Sequence, residues 1–231
     1  MRNVRRPLSS RRLSLPCFLI CVLSLFLSAC ATTPSSRGDD RLARAELLAL
    51  LQTLNADLLS HDSATLTLER WCGDHGLADP ARVVAQRDRN AEKPIPPELR
   101  ARLSVTDLEP LGYRHVRLAC GDHVLSEADN WYVPARLSAD MNKRLDSTDE
   151  PFGKVVRSLG FVRRTLSAEL LWSPLPSGWE MKQPQALPPL SIPHEVLRHQ
   201  AVLYTATQEP FSALVETYTS EVFSFRTLIR H

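Results

Sequence analysis

The chain has 231 residues, 28 basic and 26 acidic side chains, a formal charge of +2 and 43% hydrophobic residues. This composition supports a packed core and excludes a fibrous or disordered chain. Five arginines (Arg2, Arg5, Arg6, Arg11 and Arg12) crowd the first twelve residues, and without them the balance falls to −3, so the rest carries no basic footprint for nucleic acid.

Those arginines precede an apolar run from Leu13 to Leu27, which ends in Leu27-Ser28-Ala29-Cys30. A basic flank, a short apolar stretch and small residues at the cleavage point are the anatomy of a secretory signal. The run is shorter than the roughly 20 residues a transmembrane helix needs, and Pro16 interrupts it. Leu-Ser-Ala-Cys has the form that lipoprotein signal peptidase reads. Residues 1–29 are therefore expected to be a cleaved signal peptide and Cys30 the lipidation site, with an uncleaved anchor as the alternative. Ala31, rather than an aspartate, after the cysteine points to the periplasmic face of an outer membrane. Residues 30–40 are small and polar and read as a flexible tether, leaving 41–231 as one domain.

Leucines at helical spacing (Leu42, Leu47, Leu48, Leu51, Leu54 and Leu58) predict an amphipathic helix over 41–60, with Asp39 and Asp40 before it. His61-Asp62-Ser63 breaks the pattern and can cap a second helix over 64–74. A short strand is expected at 82–87, then a Pro-rich turn at 93–97 leading into a brief helix. Residues 113–120 and 123–133 read as a hairpin turning at Gly121-Asp122 and stopped by Pro134. Ser138 can cap a helix to Leu145. Pro151, at a first helical position, can open another to Leu159. A strand is expected at 161–172, a loop through the prolines of 173–193, and two strands at 195–205 and 211–225. Helices first and hairpin-connected strands later indicate an α+β domain with an antiparallel sheet.

Two charged side chains fall on apolar strand faces: Arg114 with Val116 and Leu118, and Glu216 with Leu214, Tyr218 and Val222. Either they form a structural ion pair, or the strands are two-sided and partly wet, or they line a closed polar cavity in which the arginine holds an anion and the glutamate meets the ligand's far end. Backbone N–H groups at the helix starts near Ala64-Thr65 and Phe152-Gly153 would suit a carboxylate, and Gly153 would allow close backbone approach. Cys72 and Cys120 are the cysteines left to the mature domain. In an oxidising compartment they are a disulfide candidate, the alternative being two unpaired buried thiols. The seven histidines make no HExxH and no Cys/His set with metal-ligand spacing, so no metal is expected. Asp129-Asn130 reads as a turn or a ligand-rim feature.

Asp62-Ser63-Ala64-Thr65 with Glu69, then Arg114, Val133-Pro134, Glu150-Pro151-Phe152-Gly153 and Leu214-Val215-Glu216 resemble the chorismate pyruvate-lyase family in order and spacing, over most of 45–225. The resemblance implies a six-stranded antiparallel sheet with helices packed on it and a buried ligand cavity. It also implies elimination of pyruvate from chorismate to give 4-hydroxybenzoate, without cofactors. Ligand-sensing domains of some transcription regulators share that fold and only bind small molecules. By position, Arg114 takes the carboxylate-binding role and Glu216 the ring-hydroxyl role, with N–H groups at Ala64 and Phe152 assisting. Where the family would place a second arginine before the Val-Pro strand end, this chain has Asn130, and the Pro-rich segment after Trp172 has no counterpart. A carbon–oxygen lyase is expected, with a non-catalytic envelope module binding an aromatic or dianionic carboxylate as the alternative. A structural envelope protein that has lost its site is a third option, against which Arg114 and Glu216 argue. The partners expected are a small-molecule ligand and, through the lipid, a membrane; the protein is expected to be a monomer.

Overall fold

The computed structural model describes residues 36–182 and 186–225, so the expected signal peptide, Cys30 and residues 31–35 lie outside the described residues. Six strands, β1 (Val83–Asp88), β2 (Gly112–Cys120), β3 (His123–Tyr132), β4 (Val162–Leu170), β5 (Glu195–Tyr204) and β6 (Pro210–Thr219), form one sheet in the order β1-β2-β3-β6-β5-β4. Every neighbouring pair is antiparallel. The helices are α1 (Ser36–Ser60), α2 (Ala64–Asp74), α3 (Pro97–Leu103), α4 (Ala139–Ser147) and α5 (Phe152–Val155). The expected α+β architecture is borne out.

Helix α1 starts at Ser36 rather than Arg41, so residues 36–40, expected as tether, are its first turns. Leu47, Leu51, Leu54 and Leu58 form its buried stripe, whereas Leu42 points to solvent. That stripe packs with Leu68, Trp71 and Cys72 of α2 on the sheet face that carries Val116, Leu118 and Tyr218. Ser63 caps α2, accepting from the Leu66 N–H at 3.3 Å. Cys72 of α2 and Cys120, the last residue of β2, form a disulfide across 48 positions of sequence. Of the two alternatives for this pair, the bonded one holds.

On the opposite face of the sheet, Leu99 and Leu103 of α3 pack with Trp131, Val133, Val202 and Ala213. A tight turn joins β2 to β3 at Gly121, whose φ of +57° disfavours a side chain. Helix α4 follows its Ser138 cap, which accepts from the Met141 N–H at 3.1 Å. Pro151 is the N-cap of α5 rather than its first residue. The expected helix to Leu159 breaks after Val155 into a 3-10 turn, Arg157–Leu159, ended by Gly160. The last strand also stops earlier than expected. After Thr219 the chain turns into 3-10 geometry over Ser220–Phe223, because Thr219 accepts from the Glu221 N–H and Trp71 donates its indole N–H to the Val222 carbonyl at 3.0 Å. The α1 to β6 core and the disulfide lie within one compact unit, Arg37–His231.

Candidate functional site

Alternation along β6 turns Ser212, Leu214, Glu216 and Tyr218 to the face covered by α1, α2, α4 and α5. Asn130 of β3 pairs with Leu214, and Ala128 pairs with Glu216, so they share that face. Above them the starts of α2 and α5 meet. Gly153 makes this possible, since a Cβ there would stand 3.2 Å from the Ser63 hydroxyl and 3.7 Å from that of Thr65. Glu69 of α2 ties the two helices further: Lys154 donates to it at 2.6 Å and the Val83 N–H at 2.9 Å. Burial would raise the Glu69 pKa, but these donors outweigh it and hold the carboxyl below its ordinary range.

A cavity of about 50 Å³ lies beneath this junction. Its lining includes Ala64, Thr65, Phe152, Gly153 and Glu216, so five of the residues singled out in the sequence converge on one space. Asn130 lines it as well, in mid-strand rather than in a turn, and accepts from the Ser212 hydroxyl at 2.6 Å. Asp129 points to the other face, where it accepts from Lys93 at 2.5 Å and Tyr113 at 2.7 Å. A cavity this size admits one or two waters.

Arg163 of β4 is the residue that sequence reasoning missed. It donates to Glu216 Oε2 at 2.6 Å, and the two side chains are only 3% and 8% exposed. Tyr218 donates to the same oxygen at 3.1 Å, while Oε1 takes no hydrogen bond among the described residues. Burial by itself disfavours the Arg163 charge, yet the adjacent carboxylate more than offsets this and strengthens its hold on the proton. Burial and then the Glu216 charge push the Tyr218 hydroxyl well above its ordinary pKa, so it stays a donor. The ion pair foreseen for Glu216 exists, but its partner is Arg163 rather than Arg114.

Arg114 is 1% exposed and is not part of the cavity wall; it sits beside Asn130, its partner in the β2–β3 register. Its one hydrogen bond, at 3.3 Å, goes to the Glu150 carbonyl, and Nε and Nη1 have no partner. Burial, followed by the nearby Arg87 charge, lowers its pKa to about 10, which still leaves it cationic at neutral pH. His199, paired with Glu216 across β5 and β6, is fully buried, and its Nε2 lies 2.8 Å from Asn55 Oδ1. Burial and then Arg163 lower its pKa to about 4, so it is neutral at pH 7. No group of three or more His, Cys, Asp or Glu that could hold a metal occurs among the described residues.

No protein-family model matches the sequence. The chain is 55% identical over 188 residues to "uncharacterized protein y4mC" of Sinorhizobium fredii, covering 80% of this chain and 79% of that one. Among solved structures it is similar to the effector domain of PhnF from Mycobacterium smegmatis, with a TM-score of 0.43 and 13% identity over 69% of this chain and 90% of that one. A GntR-family transcriptional regulator from Enterococcus faecalis matches with a TM-score of 0.38 and 14% identity, over 60% of this chain and 95% of that one. The chain spans 65% of the longer PhnF structure and 59% of YydK from Bacillus subtilis, less than two thirds of either.

Proposed function

This chain belongs to one family with the y4mC protein of Sinorhizobium fredii, and we propose that its domain is a chorismate-lyase-like binding module for a small aromatic carboxylate. The observation that carries the reading is a pair of buried guanidiniums with donors left over. Arg163 Nε, on the cavity wall, and Arg114 Nε and Nη1, beside it, all lack an acceptor. A buried N–H without a partner costs about 1–3 kcal/mol, more on a charged group, so these donors suit an anion that arrives with the ligand. Arg114 has no ion-pair partner among the described residues, whereas Arg163 is already neutralised by Glu216. Arg114 is therefore assigned to the carboxylate, and Glu216 with Tyr218 to a hydroxyl at the other end of the ring. The free N–H groups at the starts of α2 and α5, at Ala64, Thr65, Phe152 and Gly153, assist.

A second reading, turnover of chorismate to pyruvate and 4-hydroxybenzoate, is favoured by the unoccupied Oε1 of Glu216, an acceptor on the cavity wall. Both readings are tested by adding chorismate or 4-hydroxybenzoate to the chain from residue 31 onward. Under the binding reading, 4-hydroxybenzoate raises the melting temperature and no pyruvate appears. Arg114→Ala should abolish that shift without loss of fold, since it removes an uncompensated buried cation. Pyruvate release that disappears in Glu216→Gln would establish the lyase. If neither compound changes the melting temperature and no product forms, both readings fail.

The domain's location is a separate proposal, supported by the sequence of residues 1–31. Residues 1–29 act as a signal peptide, and acylated Cys30 holds the domain at the periplasmic face of the outer membrane. Cells fed radiolabelled palmitate should label the wild-type chain and not Cys30→Ser; label on the variant would refute the anchor.

A further inference from the structure

A second cleft, of about 430 Å³, lies away from the cavity, between the start of α1 and the Pro-rich segment that follows β4. Its volume is in the range of small-ligand sites. The prolines of this segment lack N–H groups, and the segment presents backbone carbonyls. Two arginines of α1 use those carbonyls to hold it. Arg44, 4% exposed, donates to the carbonyls of Pro174 at 3.1 Å and of Pro188, and its Nε bonds both carboxylate oxygens of Asp40 at 3.1 Å. Arg41 donates to the Trp179 carbonyl at 2.6 Å, with its guanidinium 5.6 Å from the centre of the Trp179 ring. The walls are thus braced, and the space between them is part of the fold.

The cleft is chemically two-sided. Trp172, Trp179, Leu175, Leu187 and Leu190 give it an apolar floor, while Arg41, Arg44 and Lys182 supply three cations. Asp40 is committed to Arg44. Arg41 spends Nη2 on Trp179, and Lys182 spends one of its three donors on the Ser177 carbonyl at 2.8 Å, so both keep N–H groups for a ligand. We infer that this cleft binds an anionic amphiphile, whose carboxylate or phosphate head meets Arg41 and Lys182 and whose alkyl tail lies along Trp172 and the leucines. The inference rests on neither the cavity under α5 nor the lipid anchor.

Bromine quenches indole fluorescence on contact, and of the chain's four tryptophans Trp71 and Trp131 are buried while Trp172 and Trp179 line the cleft. Adding 9,10-dibromostearate to the chain from residue 31 onward should quench the Trp172 and Trp179 emission saturably. Arg41→Glu/Lys182→Glu should weaken this about tenfold, the scale of one or two charge-assisted contacts, with an unchanged melting curve as the control for folding. Trp172→Phe/Trp179→Phe should leave only unquenched emission. No quenching by either the free acid or brominated phosphatidylglycerol vesicles, equal quenching by the uncharged dibromostearyl alcohol, or quenching that survives the tryptophan substitutions would overturn the proposal. Quenching by the free acid points to a soluble amphiphile, and quenching by brominated phosphatidylglycerol vesicles but not by the free acid points to a membrane lipid; either supports the assigned chemistry.

Discussion

Arg163→Met should cost the domain about 3–5 kcal/mol, because it strands the Glu216 carboxylate in a site that is 8% exposed. Most of that loss comes from the unpaired charge and little from packing, since methionine keeps the length of the arginine stem. Arg163→Met/Glu216→Gln should therefore regain most of the stability: glutamine leaves Tyr218 an acceptor in place of the one 3.1 Å away and carries no charge. Urea unfolding of the wild type, the single variant and the double variant reads the effect directly. A double variant as unstable as the single one would mean that arginine packing, and not the buried carboxylate, sets the cost.

Cys72→Ala/Cys120→Ala should lower stability by about 4 kcal/mol, the loop-closure value for a bridge spanning 48 positions, and the melting temperature by about 10 °C. The bridge ties the C-terminal half of α2 to the end of β2, so its loss loosens the seam at which α2 meets the sheet. Heating the wild type with and without reductant should reproduce the difference. An unchanged melting temperature, with both thiols open to alkylation in the untreated protein, would refute the bond.

The buried arginines and the large cleft differ in what each needed from the chain. Arg114 was legible because Arg114, Val116 and Leu118 alternate regularly, and the structure buries all three. Arg163 was not. Alternation along β4 sets it on the face opposite Ala168 and Leu170, the apolar residues that would mark the core. A β-bulge between Thr165 and Ser167 switches the faces, so Arg163, opposite Leu203, and Ala168, opposite His199, point the same way. A period-two pattern cannot reveal an irregularity that is defined by the partner strand. The Pro-rich segment reads as loop from its prolines, but no local signal shows that Arg41 and Arg44, some 130 residues earlier, brace it into a cleft.

The sequence by itself determined what depends on local spacing and chemistry. The helix stripe of α1, the Ser63 and Ser138 caps, the β2–β3 hairpin, the α+β class and the burial of Arg114 and Glu216 all follow from periods of 3.6 and 2 and from capping side chains. Only the tertiary structure decided which arginine neutralises Glu216, where β6 gives way to a 3-10 turn, and how small the cavity beneath α2 and α5 is. Those outcomes are set by contacts between residues far apart in the chain, where an ion pair, a bulge or a packed ring outweighs local preference by a few kcal/mol.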